Sequence, residues 1–137
     1  MPVDKPFNSG QWTAARFKSF IVSQLRSATM RWSPKQQCIK NARVGHGKYK
    51  CVGCGKVGPP TLPPPKGKLR RVKNIVADHI KPIVPPETGF TSYDDWIERC
   101  FVEIDGFQAL CHKCHTSKTQ AEKEIAKERR LNAKSTT

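Results

Sequence analysis

Apolar residues recur at helical spacing early in the chain. Phe17, Phe20, Ile21, Leu25 and Ala28 share one face, while Arg16, Lys18, Gln24 and Arg26 lie largely off it. The pattern predicts an amphipathic helix within 11–31. The preceding ten residues, with Pro2, Pro6 and Gly10, read as a loose lead-in. A second helix is expected from Trp32-Ser33-Pro34-Lys35, because Ser33 can cap and Pro34 needs no donor in a first turn. It should run to about Ala42 and stop at Val44-Gly45-His46-Gly47. Val72-Lys73-Asn74-Ile75-Val76-Ala77 is rich in β-branched residues and predicts a strand that delivers Asp78 and His79 at its end. Since strand neighbours face opposite ways, that strand should end or bend there. Thr91-Ser92 can cap a short helix over about 93–101, with Trp96, Ile97 and Cys100 inward. Phe107-Gln108-Ala109-Leu110 is a second short strand. A final helix is expected from near His115 to about Leu131, built from good helix formers, with 132–137 fraying as a flexible tail. The fold class is therefore α+β with short strands.

Composition sharpens this outline. Of 137 residues, 36% are hydrophobic and 8% aromatic, so any core is small and needs a staple. Twenty-five basic against 11 acidic residues give a net charge of +14, which favours a polyanionic partner. A protein-facing adaptor has no need of that excess. Two basic stretches stand out as phosphate contacts: Lys66, Lys68, Arg70 and Arg71 in a proline-rich loop, and Lys81 and Lys118. For the loop, a plain spacer is the competing reading. Glu87, Asp94, Asp95, Glu98 and Glu103 gather in one insert, whose face should point away from a nucleic acid. No run of about 18 apolar residues occurs, so no membrane partner is expected. The N-terminus lacks the apolar core of a signal peptide, and a reducing cytoplasm is the expected compartment.

In that compartment, paired Cys-x-x-Cys motifs point to metal rather than disulfides. Cys51-Val52-Gly53-Cys54 and Cys111-His112-Lys113-Cys114 supply four thiolates for one tetrahedral structural zinc. Gly53 and Gly55 permit the tight turn that the first pair needs. Cys38 and Cys100 have no such partner and read as buried thiols; His112 and His46 read as surface residues.

Between the two pairs lies Asp78-His79-Ile80-Lys81-Pro82, and the second pair runs straight into His115. This order, closing with Gln108-Ala109-Leu110-Cys111-x-x-Cys114-His115-x-x-Lys118-Thr119, resembles the HNH endonuclease family of ββα-metal nucleases. The overall look is similar to small HNH proteins of bacteriophages. The likeness spans roughly 49–123, more than half the chain. It implies a zinc-stabilised ββα-metal finger over 46–131, behind a basic helical extension over 1–45. It also implies a divalent ion such as Mg2+, Mn2+ or Ni2+ on Asp78 and His115, with His79 as general base. Double-stranded DNA would be the substrate, in the cytoplasm of an infected bacterium, with a packaging or replication machine as a further partner. One position departs from the family. Its middle asparagine, which pins the loop carrying the base, aligns with Gly106, so Asp105 or the backbone must substitute. That leaves two readings open: a nuclease or nickase, and a non-catalytic zinc-stabilised nucleic-acid-binding module.

Overall fold

The computed structural model describes residues 2–135. The chain divides into two compact units, Met1–Trp32 and Ser33–Thr137.

In the first unit, α1 spans Ala14–Ala28 and is followed by a 3-10 turn over Thr29–Arg31. The Thr13 hydroxyl accepts the Arg16 N–H at 3.1 Å and starts the helix. The stretch before it is more ordered than expected. Phe7 and Trp12 exchange backbone hydrogen bonds (Trp12 N–H to Phe7 O 2.9 Å, the reverse 3.2 Å) across a turn at Asn8, Ser9 and Gly10, all at positive φ. Aromatic packing holds that turn on the helix. Phe7 stacks on Phe17 with centroids 4.2 Å apart, Trp12 leans on Phe20 at 5.1 Å, and the Arg16 guanidinium lies over the Trp12 ring.

The second unit begins with α2, Ser33–Asn41. This helix packs on the central strand pair described next, so it belongs with the remainder of the chain and not with an extension over 1–45. Strands β1 (Arg43–Gly45), β2 (Lys48–Lys50) and β3 (Val57–Gly58) form a three-stranded antiparallel sheet in that order. β4 (Thr61–Leu62) pairs with β5 (Val72–Lys73). The centre is the antiparallel pair of β6 (Ile75–His79) and β7 (Phe107–Cys111), registered from Ile75 opposite Cys111 to His79 opposite Phe107. Helix α3, Tyr93–Cys100, lies in the connection between them, capped by Ser92. Helix α4, His112–Ser135, leaves β7 without a break. It starts three residues earlier than expected and passes Leu131 through Ser135, so 132–135 are helical; the last two residues of the expected tail lie outside the described ones.

The expected single strand over 72–77 is instead two strands divided at Asn74. The ladder also continues through His79, where an end or bend had been expected. Asn74 explains the division. Its buried amide donates to the Pro59 carbonyl at 2.7 Å, and its Oδ1 accepts the His112 N–H at 3.3 Å, tying the β4–β5 pair to the first turn of α4. The core is small, as composition required. Among the described residues, the buried apolar side chains are Cys38, Cys51, Ile75, Trp96, Cys100, Phe107, Ala109 and Leu110.

Candidate metal centre and catalytic site

The four paired cysteines converge. The Sγ atoms of Cys51, Cys54, Cys111 and Cys114 all lie within 4.8 Å of one another, and Cys54 Sγ is 3.9 Å from Cys111 Sγ. Four thiolates around one zinc at about 2.3 Å would stand about 3.8 Å apart, so this set can hold a structural metal such as zinc. Local backbone builds the grip. β2 and β3 flank the first pair, the Gly55 N–H returns to the Cys51 carbonyl at 2.9 Å with Gly55 at φ +74, and the Val52 N–H reaches the Ala109 carbonyl at 2.9 Å. Gly53 leaves no room for a side chain, since a Cβ there would meet Leu110 at 3.2 Å and Cys114 Sγ at 3.3 Å.

The protonation pattern suits a cation. Burial raises the Cys51 pKa, but hydrogen bonds from the backbone of Cys111, Cys54 and Gly53 and from the Cys114 thiol outweigh it, bringing the value down to about 6. Cys114 is pushed up to about 12 by sharing its proton with Cys111, Cys51 and Cys54. The centre of the cluster thus attracts positive charge. All six cysteines are free of disulfides.

A second constellation lies on β6 and α4. Asp78 Oδ1 is 3.7 Å from His115 Nε2, and Asp78 is largely buried while His115 is partly exposed. Both atoms can reach one divalent ion at ordinary ligand distances of about 2.1 Å. A carboxylate with an imidazole suits magnesium, manganese or nickel better than a thiophilic ion. The set is sparse, however: among the described residues the cysteines are the only group of three or more side chains that can share a metal. Any ion on Asp78 and His115 would keep most of its positions for water or phosphate. Gln108, directly across the ladder, donates its amide to Asp78 Oδ2 at 3.0 Å and fixes the carboxylate.

His79 occupies the other face of β6. Its ring lies against Phe107, centroids 4.7 Å apart, and Nε2 is 2.8 Å from the Cys100 carbonyl. A carbonyl only accepts, so Nε2 carries the proton and Nδ1 is left with a free lone pair. Burial lowers the His79 pKa below its usual value; the Cys100 carbonyl and Asp78 oppose the shift, while Lys35 and Lys118 reinforce it. The ring is therefore neutral at neutral pH.

Lys118 makes contacts that its sequence position does not announce. Expected at a phosphate, its ammonium is instead committed inward: 2.8 Å from Asp78 Oδ2, 2.7 Å from the His79 carbonyl and 3.0 Å from Glu122 Oε1. The last is an ion pair without hydrogen-bond alignment, because this buried oxygen has no hydrogen-bond donor. Burial works against the charge of Lys118, but Asp78 and Glu122 hold its pKa above the usual value. One side chain thus ties the Asp78 carboxylate and the His79 backbone together. Of the other expected phosphate contacts, Lys66, Lys68, Arg70 and Lys81 are exposed, and Arg71 folds back to Thr61 (Nε to Oγ1 2.9 Å). His46, in the turn between β1 and β2, and His112 are exposed, and Cys38 and Cys100 are buried and outside the four-cysteine group.

Main-chain hydrogen bonds hold the segment that follows His79. The Ile80 N–H, next to His79, donates to the Gly106 carbonyl at 3.0 Å, and the Gly106 N–H donates to Glu103 O at 2.9 Å. Asp105 is exposed and makes no hydrogen bond to this segment. A Cβ on Gly106 would lie 2.5 Å from Val102 Cγ2 and 2.7 Å from Val102 Cβ. Gly106→Asn is therefore expected to destabilise the protein by about 1–3 kcal/mol rather than improve it. Urea unfolding checks this; an unchanged or raised midpoint would contradict the fit of Val102 against Gly106.

Sequence reasoning missed the Cys100 carbonyl, Gln108, Glu122 and Asn74. A carbonyl leaves no trace in residue identity. Gln108 could have been found by pairing the two short strands with Asp78 opposite it, and Glu122 as the helical neighbour one turn beyond Lys118. No family model matches the chain, no curated protein matches it, and no solved structure matches it. No helix among the described residues is long and apolar enough to cross a membrane.

Proposed function

We propose that the chain is a zinc-stabilised HNH endonuclease or nickase that hydrolyses phosphodiester bonds of DNA, on a ββα-metal finger made by β6, β7 and α4. The observation that carries this reading is the 3.7 Å approach of Asp78 Oδ1 to His115 Nε2, with His79 held as a neutral base on the next residue. The phosphodiester would lie across the end of β6, where it can meet both faces of the strand. His79 Nδ1 takes the proton of a water whose oxygen attacks phosphorus; the phosphorus–oxygen bond on the far side breaks, and that oxygen leaves and is protonated. A divalent ion on Asp78 and His115 would supply Lewis-acid stabilisation of the phosphoryl and departing oxygens. Lys118 and Gln108 hold Asp78 in place, and the Cys100 carbonyl holds the base in one tautomer.

One observation favours the alternative, a non-catalytic nucleic-acid-binding module. The Lys118 ammonium sits 2.8 Å from Asp78 and already offsets the carboxylate's charge. Relaxation of supercoiled plasmid in magnesium, manganese or nickel separates the two readings. Metal-dependent conversion to open circles supports the nuclease; tight binding without conversion in any of the three metals supports the module.

The depressed pKa of His79 also sets the pH profile. The neutral base predominates above its folded pKa, so the rate is expected to be level through neutral pH and to fall only as pH drops below about 6.5, the value of an unperturbed histidine. A profile measured at saturating metal checks this. A midpoint above that value would contradict a desolvated His79 as the base.

A further inference from the structure

From Lys5 to Ala77 the chain carries 16 Lys and Arg and no Asp or Glu. Within the second unit, the most exposed part of that stretch is the loop between β4 and β5. Its base is braced. Thr61 pairs with Lys73 and Leu62 with Val72, the Asn74 amide grips the Pro59 carbonyl, and Arg71 bonds both Oγ1 and the carbonyl of Thr61. Pro63, Pro64 and Pro65 stiffen the outgoing side. At the tip, the Lys68 N–H returns to the Pro65 carbonyl at 2.9 Å over Gly67 at φ +84, a turn open to a residue without a side chain.

Leu69 follows that turn and is 98% exposed, more than any other large apolar side chain described. A single exposed leucine is ordinary on a protein surface. This one stands at the tip of a braced arm among Lys66, Lys68 and Arg70, all exposed, with no carboxylate anywhere in the neighbouring sequence. Cations around one projecting apolar side chain complement a polyanion whose interior is apolar and can be opened. Duplex DNA has that chemistry: phosphates outside, stacked bases within.

We propose that residues 59–74 form an arm that enters the minor groove of duplex DNA. Lys66, Lys68 and Arg70 lie on phosphates, and Leu69 is wedged between base pairs, bending the duplex. This rests on the reading of DNA as substrate, though not on cleavage.

The test uses the full-length zinc-loaded chain, without added magnesium, on a short duplex carrying a fluorescent donor and acceptor at its ends. The native protein is expected to bring the ends closer. Leu69→Ala should lose most of that change while the salt dependence of binding stays the same. The triple variant K66A/K68A/R70A should bind more weakly, with the log–log salt slope reduced by roughly 0.9 for each phosphate that is no longer neutralised. These side chains are exposed, so zinc content and thermal unfolding should match the native chain. Bending by Leu69→Ala equal to native, or an unchanged slope in the triple variant, would overturn the proposal. So would a native protein that leaves the duplex straight, whether it prefers single strands or a protein partner. Bending without plasmid relaxation in metal would sink the nuclease reading alone; relaxation without bending would sink the arm alone.

Discussion

Cys51→Ala is expected to abolish cooperative folding of the second unit. Cys51 is fully buried and accepts hydrogen bonds from three backbone positions, and it is one of four thiols converging on a single point. A structural zinc contributes on the order of 10–16 kcal/mol at neutral pH. A whole domain of this size is stable by only about 5–15 kcal/mol. With so few buried apolar side chains, the core cannot replace the metal. The loss should appear as a missing thermal transition, with zinc falling from one per chain to none. Chelation of the native chain should give the same result, and loading with zinc should reverse it. A variant that melts cooperatively without zinc would mean that the cysteines are not the staple.

His79→Ala is expected to lower the cleavage rate by about 10²–10⁴-fold, the usual contribution of a positioned general base. The fold should survive, because the ring is only part-buried and its one hydrogen bond goes to the Cys100 carbonyl. Removing the ring from its place against Phe107 should cost far less than removing the zinc. Binding of DNA should be nearly unchanged, since the neutral ring carries no charge for phosphate to meet. Rate lost with binding and zinc retained is the signature of the base. Parallel loss of all three would mark His79 as merely structural.

Much of this was legible in the chain, and the reason differs from part to part. The cysteine clamp could be read because Cys-x-x-Cys imposes its own geometry: two residues and a glycine turn bring two thiolates to one ion wherever the strands lie. The Asp78–His115 approach was expected only through the resemblance of the Asp78-His79 and Cys114-His115 motifs to a known family, since nothing local to either residue says that they meet. The ladder running through His79 could not. Five cross-strand partners on β7 hold β6 extended against the local signal of Pro82. The role of Lys118 was also hidden. A lysine in a basic protein reads as solvent or phosphate, and only the fold shows its ammonium drawn in among Asp78, Glu122 and the His79 carbonyl. The unit to which α2 belongs was hidden for a similar reason, because its packing on β6 and β7 is a long-range contact that leaves no mark in local composition. Residues 7–12 were read as loose because the aromatic stack of Phe7 on Phe17 joins positions ten apart.

The most direct measurement is the rate at which zinc-loaded native protein and Asp78→Asn convert supercoiled plasmid to open circles across a magnesium titration. Conversion by the native chain is expected to saturate with magnesium, and Asp78→Asn to show a rate at least about tenfold lower or a requirement for far more metal. Equal rates and equal magnesium dependence for the two proteins would show that the carboxylate 3.7 Å from His115 holds no catalytic ion.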